Sequence, residues 1–216
     1  ANPVGLGEVL RAARVILATG AFERPMLFPD NDRPGVMLAS AVLRYATHYG
    51  VACGRRVLVT TGCDDGHIAA RAMVAAGVNV VAVVDHRSAA AVDAIPGVPA
   101  FRGSAIVAVF GKRAVKGVAI AAHEGGPIHQ VEADCIASAG GWAPAVNLHS
   151  MAGGKLRWVD AAAMFVPVGG VLDIESVGAC AGVFNADTAL KHADAVGSGH
   201  PSSAPVGGTG VVTSNN

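Results

Sequence analysis

Apolar runs and amphipathic segments alternate along most of the chain. The runs predict buried strands, and segments in which apolar residues recur every three or four positions predict helices. We expect strands at 13–18, 56–60, 78–84, 135–138 and near 164–166, a hairpin at 105–110 and 115–121, and helices at 38–49, 66–76 and 187–195. This order is typical of a parallel sheet whose strands are joined by crossover helices. The predicted fold class is therefore α/β.

The clearest unit lies at 55–87, where a strand, a turn, a helix and a second strand follow one another with short connections. Within its helix, Ile68, Ala72 and Ala75 recur at helical spacing and are expected to form the packing stripe. The whole segment predicts a βαβ unit.

The turn of this βαβ unit departs from the glycine pattern of dinucleotide sites. Such sites need bare backbone after the first strand, because a side chain would keep a pyrophosphate from the helix N-terminus. Thr61 and Cys63 stand at the first two glycine positions, and only Gly66 keeps the third. Asp64 and Asp65 place negative charge where a phosphate would lie. We expect the geometry to persist; the alternative to a nucleotide site is a purely structural βαβ layer.

An acidic residue follows the second strand of the unit. Asp85 lies near the usual distance of about 20 residues from the glycine turn and could accept a hydrogen bond from a ribose 2′-hydroxyl. Arg87 could reach a 2′-phosphate, but Asp85 would repel one. If this unit binds a nucleotide, NAD is therefore preferred to NADP.

Composition narrows the possible classes of protein. The chain has 216 residues, 52% of them hydrophobic and 15% charged, with 16 basic and 16 acidic side chains. These values predict a packed core and no basic surface for nucleic acid. No apolar run reaches the roughly 18 residues that a membrane helix needs. The four cysteines form no Cys-x-x-Cys pair, so reduced thiols in a cytoplasmic protein are expected rather than a disulfide framework, zinc site or dithiol redox centre.

The remaining polar candidates have ordinary structural interpretations. The eight histidines do not recur at ligand spacing, so each is expected to be a surface or turn residue, and neither a metal site nor a catalytic residue is predicted. Trp142 and Trp158 flank a glycine-rich turn and are expected to be packing anchors. Arg24 could contact a phosphate, but an ion pair with Glu23 or another neighbour is the favoured interpretation.

Two strand endings made of small residues indicate how the chain is divided. They are Ala18-Thr19-Gly20 and Ser138-Ala139-Gly140-Gly141. In proteins with two nested dinucleotide domains, such endings mark where the chain leaves the first domain and where it returns. We therefore expect a remnant of a first domain at 1–36 and 141–195, an inserted second domain at 37–140, and a flexible linker or tail at 196–216.

Longer motifs carry a family resemblance. The chain reads ATGAFERP at 18–25, NDRPGVMLASAV at 31–42, GGWAPAV at 140–146 and GGKLRW at 153–158. In this order, from about Ala13 to Ala195, the chain resembles the alpha subunits of heterotetrameric sarcosine oxidases.

The resemblance implies two nested Rossmann-like domains of the FAD/NAD(P)-binding, disulfide-reductase type. It also implies an oxidoreductase acting on the CH–NH group of its donor, in which sarcosine is oxidatively demethylated and oxygen is reduced to peroxide. In that family the alpha subunit carries NAD, an FMN lies at its junction with the beta subunit, and the FAD of the beta subunit oxidises the amine. Folate takes up the one-carbon unit, and gamma and delta subunits complete the assembly.

The matching positions imply a cofactor site in the first domain, because small residues let the backbone approach a ribose or pyrophosphate. The segment 178–182 has the alternative of a tight helix start with no ligand. The implied cofactor-binding residues are Thr19, Gly20, Gly178, Ala179, Phe184 and Ala186, with Asp85 as the candidate of the second domain.

Three departures from the family pattern limit the prediction. The family's first domain begins with a GxGxxG strand well before the motif at Ala18, so the first domain is expected to be incomplete here. The folate domain of the family is likewise not expected within these residues, and Ala143 and Asn147 stand where an asparagine and a histidine are expected. Two alternatives stay open: a non-catalytic scaffold layer with an empty nucleotide site that joins subunits, and an NADH-dependent FAD oxidoreductase. A free-standing NADH-dependent disulfide reductase is disfavoured, because the sequence has no redox cysteine pair.

Overall fold

The computed structural model describes residues 11–88, 93–168 and 173–199. Its helices are α1 (Ala39–Tyr49), α2 (Asp64–Ala75), α3 (Asn147–Met151) and α4 (Ala186–Gly197), with short 3₁₀ helices at Asp160–Ala162 and Gly178–Ala181. Its strands are β1 (Val15–Leu17), β2 (Ala21–Glu23), β3 (Val36–Leu38), β4 (Val57–Thr61), β5 (Val80–Asp85), β6 (Ala100–Arg102), β7 (Ser104–Phe110), β8 (Gly117–Ala122), β9 (His129–Val131), β10 (Cys135–Ala139), β11 (Trp142–Pro144), β12 (Lys155–Val159), β13 (Met164–Val168) and β14 (Ile174–Ser176).

The described residues fall into two compact units. The sheet unit comprises residues 21–88, 93–143 and 158–164, and the strand-pair unit comprises 11–20, 144–157, 165–168 and 173–199. Both units are discontinuous in sequence. The domain limits 1–36, 37–140 and 141–195 stay a prediction.

The sheet unit is built on a five-stranded sheet in the order β3-β10-β4-β5-β6. Every neighbouring pair of these strands is parallel, as the alternation of strands and helices predicted. The sheet includes the expected βαβ unit, made of β4, α2 and β5. The carboxyl ends of its central strands therefore lie at one edge, where dinucleotide folds place their ligands.

Successive side chains of the central strands face opposite sides of this sheet. Val57 and Val59 of β4 pack with α1 and α2 on one face. Leu58 packs on the other face against apolar residues of β7 and β8. The predicted hairpin is antiparallel, as expected, and β9 adds a third strand to it that the sequence did not predict. The sheet is covered by helices on one face and by this antiparallel sheet on the other.

The predicted packing stripe of α2 is wrong. Ile68 is 58% exposed, and the residues that the helix buries are Gly66, His67, Ala70 and Met73. The helix begins at Asp64, two residues earlier than expected, and a Cβ at Gly66 would overlap the Thr61 hydroxyl. This close approach fixes which face of α2 is turned to β4. A helix so rich in alanine offers an apolar stripe in several directions, so periodicity alone selected the wrong face.

The strand-pair unit contains β1 and β14, which are parallel, with Val15 opposite Ile174 and Leu17 opposite Ser176. The predicted last helix forms as α4 and continues through Val196, which is 1% exposed. The predicted tail at 196–216 therefore begins inside a helix, and its residues from 200 onward lie outside the described ranges. In the described parts of the chain, no helix is both long enough and apolar enough to cross a membrane.

Candidate functional site

The turn between β4 and α2 is filled by the Thr61 side chain. The backbone N–H of Cys63 donates to Thr61 Oγ1 over 3.1 Å. The Thr61 hydroxyl has the carbonyls of Cys63 and Ala139 within reach, at 2.8 and 3.0 Å. Because Gly66 leaves room for it, the threonine closes the turn from inside. The strand-to-helix geometry is therefore kept, and side chains occupy the turn where a diphosphate would need bare backbone.

The two acidic residues at the start of α2 are both engaged by other side chains. Asp64 Oδ1 accepts from Arg87 Nη1 at 2.7 Å, and Asp65 Oδ2 accepts from Trp142 Nε1 at 2.8 Å. Burial raises the pKa of Asp65, and the nearby Asp64 raises it further, against the lowering effect of the Trp142 bond. Trp142, which was expected to be a packing anchor, thus binds the start of α2 by a hydrogen bond.

Asp85 lies at the end of β5 with all of its acceptor capacity in use. Oδ1 accepts from the backbone N–H and Nε of Arg87, at 2.9 and 3.0 Å. Oδ2 accepts from Arg87 Nη2 at 2.9 Å and from His67 Nε2 at 2.7 Å. An ionised carboxylate has about four lone-pair positions, and the side chain is 1% exposed. A ribose hydroxyl could bond to Asp85 only if one of these donors moved away.

The electrostatics of this cluster follow from its hydrogen bonds. Burial alone would raise the pKa of Asp85, but the bonds from His67 and Arg87 outweigh it and lower the pKa to about 2. Burial alone would lower the pKa of Arg87, but its bonds to Asp85 and Asp64 outweigh that effect and raise it. Both groups are therefore held in their charged forms.

His67 is a member of this cluster that the sequence did not identify. Its ring is 3% exposed, and His149 and His192 are similarly buried, so the expectation of surface or turn positions is wrong for these three. The spacing between histidines carried no signal, because the partner of His67 is a carboxylate on the next strand. The register of α2, once Gly66 is placed against Thr61, would have turned His67 toward β5.

A second group of candidates lies at the carboxyl ends of β1 and β14. Because these strands are parallel, the turns at Thr19–Gly20 and Gly178–Ala179 leave the pair at the same edge. The backbone N–H of Val177 donates to the Leu17 carbonyl at 2.9 Å. Thr19 Oγ1 donates to the Ala145 carbonyl at 2.8 Å, so its hydroxyl is already engaged.

Two glycines at this edge have left-handed backbones and open surroundings. The φ angles are 75° at Gly20 and 68° at Gly178, and a Cβ at either position would meet no described atom within 4 Å. The 3₁₀ helix that begins at Gly178 is tied down by Cys180, whose Sγ lies 3.1 Å from the Leu17 carbonyl oxygen. This edge has the bare backbone that the turn after β4 has lost.

Phe184 and Ala186 lie at the N-terminus of α4. Asn185 caps the helix, since its Oδ1 accepts from the Thr188 backbone N–H at 3.1 Å. Phe184 is half-buried, and Ala186 is exposed at the first helical position. The structure thus brings six of the seven candidate residues into the strand-pair unit, and Asp85 lies in the sheet unit.

The expected ion pair between Glu23 and Arg24 does not form. Glu23 Oε2 accepts from the backbone N–H of Ser40 at 3.0 Å and so caps the start of α1, where Leu38 has no capping side chain. Arg24 Nη1 donates to the Ala163 carbonyl at 2.8 Å. In the described ranges, no group of three or more His, Cys, Asp or Glu side chains is arranged to hold a metal ion.

Comparison with known proteins finds close relatives over most of the chain. The sarcosine oxidase alpha subunit of Rhizobium meliloti is 41% identical over 170 residues, 79% of this chain and 17% of that protein. Those of two Corynebacterium strains are 40% and 37% identical over 87% and 84% of this chain, each over 20% of the relative. The chain thus spans about a fifth of the length of these relatives. No protein-family model matches it.

Solved structures show the fold. L-proline dehydrogenase from P. horikoshii superposes with a TM-score of 0.64 at 23% identity, over 88% of this chain and 36% of that one. Thioredoxin reductase from T. acidophilum gives 0.60 at 18% identity, over 80% and 59%. A FAD-dependent pyridine nucleotide-disulphide oxidoreductase from Desulfovibrio vulgaris gives 0.56 at 17% identity, over 83% and 48%. The expected disulfide-reductase-type α/β fold is confirmed.

Proposed function

Over the region that they share, the chain belongs to the family of sarcosine oxidase alpha subunits, and we propose that it forms the nucleotide-binding region of such a flavoenzyme. Identity of 37–41% over 79–87% of the chain is the observation that carries this proposal. The complete enzyme would demethylate sarcosine oxidatively and pass the electrons to oxygen, giving peroxide. This region would hold a nucleotide and supply no catalytic residue.

The nucleotide is NAD, and it binds at the strand ends of the strand-pair unit. The open backbone at Gly20 and Gly178 supports this location, because a Cβ there would stand in the space that a ribose or pyrophosphate enters. Thr19 and Ala179 belong to the two turns at this edge, and Phe184 lies between the second turn and α4. Ala186 begins α4, whose N-terminus favours a phosphate. When bound, NAD contributes the redox chemistry of its nicotinamide; these residues contribute position and shape.

A structural role is the second candidate, and it applies to the sheet unit. The four hydrogen bonds on Asp85 and the Thr61 side chain in the turn favour it. Asp85 stays a candidate ribose ligand in competition with Arg87 and His67. In this account the sheet unit is a scaffold layer that keeps the Rossmann-like shape.

The remaining cofactors and partners belong to the complete enzyme. We expect FMN where this region meets a beta subunit, FAD within that subunit, gamma and delta subunits in the assembly, and folate as the one-carbon acceptor. An NADH-dependent FAD oxidoreductase stays an alternative. A free-standing disulfide reductase is disfavoured, since Cys53, Cys63, Cys135 and Cys180 are all free thiols in the structure.

A chimaera tests the proposal. The matching region of the Rhizobium meliloti alpha subunit is replaced by this chain, the protein is produced with its partner subunits, and bound NAD and sarcosine-dependent peroxide are measured. We expect both to be present.

We expect Gly178→Ala to lower NAD affinity about tenfold or more. The added methyl group enters the space of the ligand, and alanine is strained in the left-handed backbone conformation of residue 178.

Gly50→Ala is the matched control. Gly50 has a φ of 63°, and a Cβ there would meet no described atom within 4 Å. The backbone strain is therefore comparable, but Gly50 ends α1 in the sheet unit. NAD affinity should not change in this variant. An assembled chimaera that takes up no NAD would refute the proposal.

A further inference from the structure

Two backbone hydrogen bonds hold the main chain of Arg24 in place in the sheet unit. Its N–H donates to the Gly141 carbonyl at 2.8 Å, and its carbonyl accepts from the Gly140 N–H at 2.7 Å. Gly140 is needed for this approach, because a Cβ there would lie 2.8 Å from the carbonyl oxygens of Arg24 and Pro25. The origin of the side chain is therefore fixed before any ligand binds.

The guanidinium of Arg24 carries a charge that the described residues do not neutralise. An arginine side chain has five N–H donors and no acceptor. Here Nη1 donates to the neutral carbonyl of Ala163, while Nε is buried and has no hydrogen-bond partner among the described residues. None of the ion pairs within those ranges includes Arg24. A cation partly removed from water without a counter-charge is costly unless an anion joins it.

The nearby acidic side chains are committed elsewhere. Glu23 bonds to the Ser40 backbone N–H, and Asp65 bonds to Trp142. Successive residues of an extended chain point to opposite sides, so Glu23 and Arg24 diverge, whereas Phe22 lies on the side of Arg24. Phe22 is 65% exposed, so its ring is accessible to the apolar part of a ligand on that side.

We propose that Arg24 anchors an anion site that takes the phosphate group of a cofactor, with the Phe22 ring against its apolar part. The planar guanidinium matches two phosphate oxygens, and such charge-assisted bonds are the stronger ones in proteins. Nε is buried, so its N–H joins these donors only when the side chain shifts as the ligand binds. This site lies in the sheet unit and does not depend on the NAD site proposed for the strand-pair unit.

The test follows the Arg24 Nε–H signal by ¹⁵N nuclear magnetic resonance on the 216-residue chain. The signal is assigned by its loss in Arg24→Lys. Inorganic phosphate, FMN, NAD and riboflavin, which has no phosphate, are titrated separately. We expect saturable shifts with phosphate and FMN and none with riboflavin. Tighter binding of FMN than of NAD would identify a flavin phosphate as the source, and the reverse order a dinucleotide; either supports the site.

Two variants complete the test. Arg24→Gln should weaken phosphate binding about tenfold or more, as expected for loss of a charge-assisted bond. Arg33→Gln is the control, because Arg33 is paired with Asp30 at 2.9 Å, and its affinity should change less than about twofold. The proposal is overturned if no phosphate compound shifts the wild-type signal, if riboflavin shifts it as FMN does, or if Arg24→Gln binds phosphate normally.

Discussion

Asp85 shows how one side chain can keep the position of a ligand-binding residue while its bonds are used inside the protein. Its two oxygens accept four hydrogen bonds, from His67 and from the backbone and side chain of Arg87. Arg87 also donates a hydrogen bond to Asp64 and so connects Asp64 to Asp85. A buried carboxylate is tolerated only when it is paired in this way, so the cluster stabilises the sheet unit itself.

The lowered pKa of Asp85 predicts a pH dependence of stability. Its pKa is about 2 in the folded protein against a usual value of 3.8, so it stabilises the fold above about pH 4. This contribution, about 2 kcal/mol in the free energy of unfolding, is lost as the pH falls toward 2. Urea unfolding of the wild type and of Asp85→Asn, from pH 2 to 7, measures it.

The variant should be less stable at pH 7, and the difference from the wild type should shrink at low pH. Asp93→Asn is the control, since Asp93 is exposed, and it should follow the wild type throughout. A constant difference between Asp85→Asn and the wild type at all pH values would contradict the assigned cause.

The sequence placed Asp85 at the end of its strand but could not reveal its partners. The spacing from the glycine turn is a property of the chain alone. The bond to His67 depends on how α2 is rotated against β5, and alanine-rich periodicity does not fix that rotation. Arg24 and Glu23 failed as a predicted pair for a related reason: adjacent residues of an extended segment point apart.

Among the individual helices and strands, α2 is the one whose buried face was predicted wrongly from the sequence. Met73 is fully buried, whereas Ile68 is 58% exposed. We predict that Met73→Ala lowers the free energy of unfolding by about 2–5 kcal/mol. Ile68→Ala should cost less than about 1 kcal/mol, because it removes little buried surface. Chemical denaturation of the two variants compares them directly, and similar losses would show that the helix packs by its predicted stripe.

The strands and helices themselves were largely predictable, and their order within the sheet was not. The helices predicted at 38–49 and 187–195 closely match α1 and α4. The spacing of apolar residues indicates both helices, and Gly50 marks the end of α1. The place of β10 between β3 and β4 is set by pairing across a long stretch of chain. Such pairing leaves no periodic signal in the strands that it joins.

The described residues form two edges at which parallel strands end, and these edges differ in chemistry. In the sheet unit the edge is closed by Thr61 and by the Asp85 cluster. In the strand-pair unit the edge has open glycine backbone at Gly20 and Gly178. We therefore assign the nucleotide to the second edge and a supporting role to the first.

Amide hydrogen–deuterium exchange with and without NAD tests this assignment most directly. Binding should slow exchange at residues 17–20 and 177–186, because the ligand covers their backbone, and should leave residues 61–66 unchanged. If NAD slows exchange at residues 61–66 and does not slow it at 17–20 and 177–186, the nucleotide binds at the other edge and the assignment is wrong.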